Sequence, residues 1–114
     1  MHIEISDADP RRVLTIDLER RVVRVGGERV QLSRVQYELL ELLAHCKGTM
    51  VSRDYIIMSL YRCENHENEG AFRILLHRLR AKLRAVSRGR EYIRCQSRNL
   101  TPDLAHVWTS YVLA

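Results

Sequence analysis

An α+β fold is predicted, a sheet followed by three helices and a closing hairpin, and two changes of apolar period, bounding three stretches, predict it. Residues 1–32 alternate polar and apolar around the Gly26-Gly27 pair, as strands do. From Ser33 the apolar positions recur at helical spacing, and after Gly89 they alternate again.

The elements follow in order. Met1 to Ser6 alternates, and Val13 to Leu18 sets Val13, Thr15 and Asp17 against Leu14, Ile16 and Leu18. Arg21 to Leu32, RVVRVGGERVQL, reads as two strands joined by a tight turn, because paired glycines supply the positive φ such a turn needs. Ser33 and Gln36 stand at capping-box spacing and open a first helix over Val35 to Cys46, with Leu39, Leu40, Leu42 and Leu43 placed for burial. It ends near Lys47-Gly48. Ser52 caps a second, short helix carrying Tyr55, Ile56, Ile57, Leu60 and Tyr61 and ending around Arg62. A polar connector, Cys63 to Glu67, leads into the third helix, Asn68 to Ser87. At about 100° per residue, Phe72, Leu76, Leu79, Leu83 and Val86 share one face of it, widened by Leu75. Arg73, His77, Arg80 and Arg84 form a second, basic stripe. Strand-like runs return with Tyr92 and Ile93, and with Val107, Trp108, Tyr111, Val112 and Leu113; a loop is expected from Ser97 to Ala105. The chain is read as one domain, 1–114: a sheet (1–32), a three-helix core (33–87) and a wing hairpin (88–114). That order is a winged helix-turn-helix.

Composition narrows the function. With 114 residues, 46% of them hydrophobic, the chain supports one modest core. Its formal charge is +5 and its isoelectric point about 9.5, carried by 17 Arg against two Lys. Arginine's planar fork matches phosphate oxygens and guanine edges, so the bias suits nucleic acid. A basic row opposite an apolar row is also the ordinary solvated face of an amphipathic helix. Against that, no Glu or Asp is interleaved to make i,i+4 pairs, and like charges at that spacing repel.

Other classes find little support. Three scattered cysteines, Cys46, Cys63 and Cys95, suggest a reduced, cytoplasmic protein and not a disulfide framework. No apolar run approaches the roughly 18 residues of a membrane span, and MHIEISDADP lacks a signal peptide's pattern. There is no glycine-rich phosphate loop, catalytic carboxylate pair or nucleophile motif, so no enzyme and no cofactor are expected. Cys63 and His66 have a metal-compatible spacing, with His45-Cys46 as further ligands, but nothing assembles the four that a structural zinc takes. Glu64, Glu67 and Glu69, with Asn65 and Asn68, read as a solvated connector and as charge suited to a helix N-terminus. Gly70 either leaves room for close approach or is a poor helix former near an end. His77 is a DNA contact or an exposed bystander, and a pH-dependent affinity would favour the contact. Tyr92 and Trp108 are read as packing residues ahead of stacking platforms.

Several segments carry a family resemblance. VGGERVQLSRVQYELLELLAHCKGTMVSRDYIIMSLY is similar to a hairpin, an LTxxEyxLL first helix and a GxxxSRexLxxxLY second helix. LHRLRAKL resembles the recognition-helix core HIRRLRKKL, and EYIR and SYVL resemble strands flanking a wing. Over Leu14 to Leu113 the chain thus resembles the DNA-binding effector domain of bacterial OmpR/PhoB-type response regulators, most nearly the CtrA cell-cycle regulators. The resemblance implies binding of double-stranded promoter DNA, on tandem half-sites, with the third helix in the major groove and the wing at the minor groove. It places Arg78 and Arg80 at the two arginines used on bases and phosphates, and offers Arg98 as the minor-groove arginine. Arg73 stands where the family has Asp, and His77 where it has Arg or Cys. Arg84 and Arg94 complete the expected contact set. Two departures stand out: Ser110 replaces the glycine before Tyr111, and extra residues enter between Gln96 and Trp108. No receiver domain is expected ahead of the sheet, and with it the expectation is a monomer or a weak head-to-tail dimer on DNA. The alternative is a protein-binding winged-helix module that sets its Arg face against RNA polymerase or a related regulator.

Overall fold

The structure is a computed structural model that describes residues 1–61, 66–99 and 107–114. Residues 62–65 and 100–106, on which much of the expected connector and wing loop fall, lie outside the described residues. So do the side chains at 66, 67, 69, 97–99, 107 and 108.

Four strands, β1 (His2–Ile5), β2 (Leu14–Asp17), β3 (Val22–Val25) and β4 (Glu28–Val30), form an antiparallel sheet in sequence order. Its register aligns Ile3, Ile16, Val23 and Val30 in one row and Ile5, Leu14, Val25 and the exposed Glu28 in another, so one face is apolar except at the hairpin end. That face packs on the helices. The hairpin turn falls at Gly26 (φ +59°) and Gly27 (φ +86°), as the glycine pair predicts. A Cβ on Gly26 would sit 2.5 Å from the carbonyl oxygen of Arg11, so the close approach of the Pro10–Arg12 turn excludes any side chain there.

Helix α1 (Arg34–His45) opens with the predicted capping box: the Gln36 N–H donates to Ser33 Oγ at 3.2 Å and the Ser33 N–H donates to Gln36 Oε1 at 2.9 Å. The next residues hold an element with no local signal, the two-residue strand β5 (Val51–Ser52). Ser52 Oγ then accepts the Tyr55 N–H at 3.2 Å, capping α2 (Arg53–Tyr61). Helix α3 (His66–Val86) begins two residues before the predicted Asn68 and runs unbroken through Gly70.

Strands β6 (Ile93–Asn99) and β7 (Val107–Leu113) pair over seven residues from Ile93–Leu113 to Asn99–Val107, and β5 adds to the other side of β7. The wing strand is therefore longer than the alternation suggested. Ser97 to Asn99 belong to β6 and not to a loop, because cross-strand pairing carries a polar segment that has no apolar pattern of its own.

Phe72, Leu76, Leu79 and Leu83 of α3 are buried with Leu39, Leu40 and Leu43 of α1, Ile56 and Ile57 of α2, and the inner face of the first sheet, in one apolar cluster. Leu75 and Val86 pack at its margin. Phe72 also meets Tyr111 of β7 edge-on, with ring centroids 5.6 Å apart, which fixes the wing's second strand to α3. The base of the wing is tied to the first sheet by Arg90. Its Nη1 pairs with Asp7 at 3.0 Å and donates to the Ser6 carbonyl at 2.8 Å, while the guanidinium lies 4.5 Å over the Tyr92 ring. Tyr92, buried as expected, donates its hydroxyl to the Arg12 carbonyl. No described helix is long and apolar enough to cross a membrane.

Candidate nucleic-acid interface

The outward side of α3 divides along its length. Across its middle, Arg73, His77 and Arg78 are exposed, and among the described residues none of them finds a hydrogen-bond or ion-pair partner. In the C-terminal part every cation is held. Arg80 is half-buried, and its Nε and Nη2 donate to the carbonyl oxygen of Ile93 at 3.2 and 2.6 Å. Lys82 Nζ donates to Gln36 Oε1 at 2.7 Å, and Arg84 Nε pairs with Glu91 at 2.7 Å. The sequence suggested a stripe of uncompensated arginines. Compensation for Arg80 and Arg84 instead comes from residues that follow the helix.

At about 100° per residue, Arg73, Arg84 and Arg80 fall on one flank of the outer face, while Arg78, about 200° from Arg80, falls on the other. Between the flanks run Gly70, Ile74, Ala81 and Ala85, all exposed. The result is a shallow, low-relief strip edged by cations. Space around Gly70 is open, since a Cβ there would meet nothing within 4 Å. Ile74 is the residue that the basic-stripe pattern missed. It is 54% exposed in the middle of this strip. A helical wheel carries that signal, because Ile74 lies well off the leucine face.

On the wing, Arg94 is exposed and opposite Val112. Arg98 stands opposite Trp108, four residues along the same strand face as Arg94, with side chains at both positions outside the described residues. Behind them Tyr111 is buried. Its burial and the neighbouring Cys95 thiol push its phenol above the ordinary value of 10.0, so it stays neutral. Cys46 and Cys95 are free thiols; Cys63 lies outside the described residues.

Elsewhere, a cleft of about 490 Å³ runs along α1 and the end of α2. Its charged groups satisfy one another: Arg21 with Glu41 at 3.8 Å, Arg34 with Glu38 at 3.1 Å and His45 with Glu41 at 3.6 Å. Among the described residues no group of His, Cys, Asp and Glu could hold a metal ion.

The profile of the family described as "Transcriptional regulatory protein, C terminal" matches residues 27–98, from the first hairpin through the three helices into the wing. The chain belongs to that family. Among curated relatives of this transcriptional-regulatory domain are the cell cycle response regulators CtrA of Brucella ovis and Brucella anthropi, each 34% identical over 80 residues, or 70% of this chain. The match covers 34% of each relative, so it spans about a third of the relatives' length. Among solved structures, the Klebsiella pneumoniae RstA DNA-binding domain in complex with RstA box aligns over 97% of this chain and 96% of its own, with TM-score 0.65 and 26% identity. The fold of this family member is accordingly the winged helix of OmpR/PhoB-type regulators.

Proposed function

We propose that this domain is a sequence-specific regulator of transcription that binds double-stranded DNA, with the middle of α3, residues 73–78, in the major groove and the β6–β7 wing at the minor groove. The observation that carries this is the trio of exposed side chains Arg73, His77 and Arg78, unpartnered among the described residues, edging a flat strip on a rigidly packed helix. They add no contact to the fold, yet present hydrogen-bond donors to anything laid against the strip. At about 1.5 Å per residue α3 is roughly 31 Å long, more than twice the ~12 Å width of the major groove, so only part of it can enter. The stretch from Arg73 to Arg78 is the part with free donors for base edges.

In this assignment Arg73, His77 and Arg78 face bases, Arg94 neutralises phosphates and Arg98 reaches the minor groove. The site lies in the cytoplasm with the DNA it serves. Binding is by a monomer or by head-to-tail pairs on tandem half-sites. The RstA domain, solved on its DNA box, and the CtrA relatives support the reading by shared fold and sequence.

A duplex titration by fluorescence anisotropy tests it. Affinity should fall steeply with rising salt, because neutralised phosphates release counterions. It should also fall when Arg73, His77 and Arg78 become Ala. Absence of binding to duplex of any sequence at low salt would reject this function and leave an acidic protein partner, such as RNA polymerase or a related regulator, as the occupant of the Arg face.

A further inference from the structure

We infer that Arg80 is a positioning residue, a strut that fixes the wing's first strand against the recognition helix. Its effect on DNA binding runs through that strand and not through a phosphate. The inference rests on the proposed DNA-binding function and concerns how α3 and the wing are held together.

Strand β6 lies at an edge of its sheet, with β7 on one side only. Carbonyls alternate along a strand, and the Tyr92 carbonyl accepts the Ala114 N–H at the β7 end of the sheet. The Ile93 carbonyl therefore turns toward the open side, where no strand meets it. Arg80 fills that place with two N–H groups at 3.2 and 2.6 Å. The Ile93 side chain is 1% exposed, so the backbone that carries this carbonyl is fixed in the core. One turn further along α3, Arg84 meets Glu91 at 2.7 Å, two residues before Ile93. Positions 80 and 84 of the helix thus grip positions 93 and 91 of the approach to the wing. A charge-assisted pair of bonds to a single carbonyl sets both distance and angle between the elements. Two rigid DNA-contacting elements profit from such a strut, since ordering them at binding would lower affinity.

The guanidinium keeps N–H groups that Ile93 does not use, so the experiment must separate a strut from a phosphate contact. Anisotropy titrations over a range of salt, on the wild-type domain, Arg80→Met, Arg94→Ala and their double variant, do this. Thermal unfolding by circular dichroism sets the temperature at which each is folded. If Arg80→Met is unfolded at the assay temperature, Arg80→Gln is read in its place by the same slope.

The expected result is a loss of affinity of about 5-fold or more in Arg80→Met with the wild-type dependence of log K on log salt. Arg94→Ala, the phosphate control, should lower that slope by about 0.9. Arg94→Ala should also cost less in the Arg80→Met background, because an unplaced wing has less to lose. A slope in Arg80→Met reduced by about 0.9, with an undiminished Arg94→Ala effect, would make Arg80 a phosphate contact and overturn the inference. Unchanged affinity would overturn it as well. Failure of the wild-type domain to bind duplex removes the function and this inference together. A wild-type domain that binds, beside an Arg80→Met variant with unchanged affinity or the reduced slope, removes only the inference.

Discussion

Arg78 and Leu79 are neighbours in α3 that should fail in opposite ways. Arg78 is exposed and unpartnered among the described residues, whereas Leu79 is 0% exposed within the apolar cluster. Arg78→Ala removes no contact of the fold, so stability should stay within about 0.5 kcal/mol and the melting temperature within about 3 °C. If Arg78 pairs with a base edge, its loss should cost about 1–3 kcal/mol on the preferred duplex, a fall of about 5- to 150-fold. On a scrambled duplex the loss should be much smaller. Leu79→Ala, by contrast, opens a cavity in the core and should cost about 2–5 kcal/mol of stability. Melting curves by circular dichroism and anisotropy titrations on both duplexes read the two effects separately, the preferred duplex coming from selection out of a random library. Equal losses on both duplexes would make Arg78 a phosphate contact, and no loss on either would remove it from the interface.

Three further outcomes follow from the structure. Ser33→Ala removes the Oγ that accepts the Gln36 N–H at 3.2 Å, and should lower stability by about 0.5–2 kcal/mol in urea unfolding. Gly26→Ala forces a Cβ to 2.5 Å from the Arg11 carbonyl at φ +59°, and should cost about 1 kcal/mol or more; a variant melting with the wild type would show that the turn can shift. Burial raises the phenols of Tyr92 and Tyr111 above the ordinary 10.0, so the folded state binds their protons more tightly than the unfolded chain. That contribution is whole below pH 10 and is lost as pH rises through the raised values, so the urea midpoint should drop above about pH 10. A midpoint flat to about pH 12 would contradict it.

Local chemistry made most of this fold legible. The Ser33–Gln36 spacing, the glycine pair and the two stripes of α3 are signals that need no distant partner, and each corresponds to an element found. What could not be read is what pairing alone creates. Val51–Ser52 becomes a strand because Tyr111 and Ser110 lie opposite it, and Ser97–Asn99 extend β6 because β7 does. The interface divides in the same way. Exposure of Arg73, His77 and Arg78 follows from helical geometry, whereas Arg80 is held by a carbonyl 13 residues on, a partner that no spacing rule names.

The uneven treatment of cations along α3 bears on what the helix is for. An arginine kept for stability alone tends to find a carboxylate or a carbonyl, since an exposed unpaired charge contributes little. Arg80, Lys82 and Arg84 have such partners, and each partner belongs to a different piece of the fold: Ile93 of the wing strand, Gln36 of α1 and Glu91 of the turn. They locate the C-terminal part of α3 against its neighbours from three directions. Among the described residues Arg73, His77 and Arg78 have none, and with exposed Ile74 beside them they form a stretch whose composition the fold does not explain. A surface that offers donors and one apolar side chain on a helix held this firmly is pre-organised for a flat ligand. A DNA base pair presents acceptors, and on thymine a methyl group, within such a plane. Rigidity behind the strip and freedom on it are thus two sides of one arrangement, in which, on the proposed function, the held C-terminal part of the helix carries the placement and residues 73–78 carry the reading.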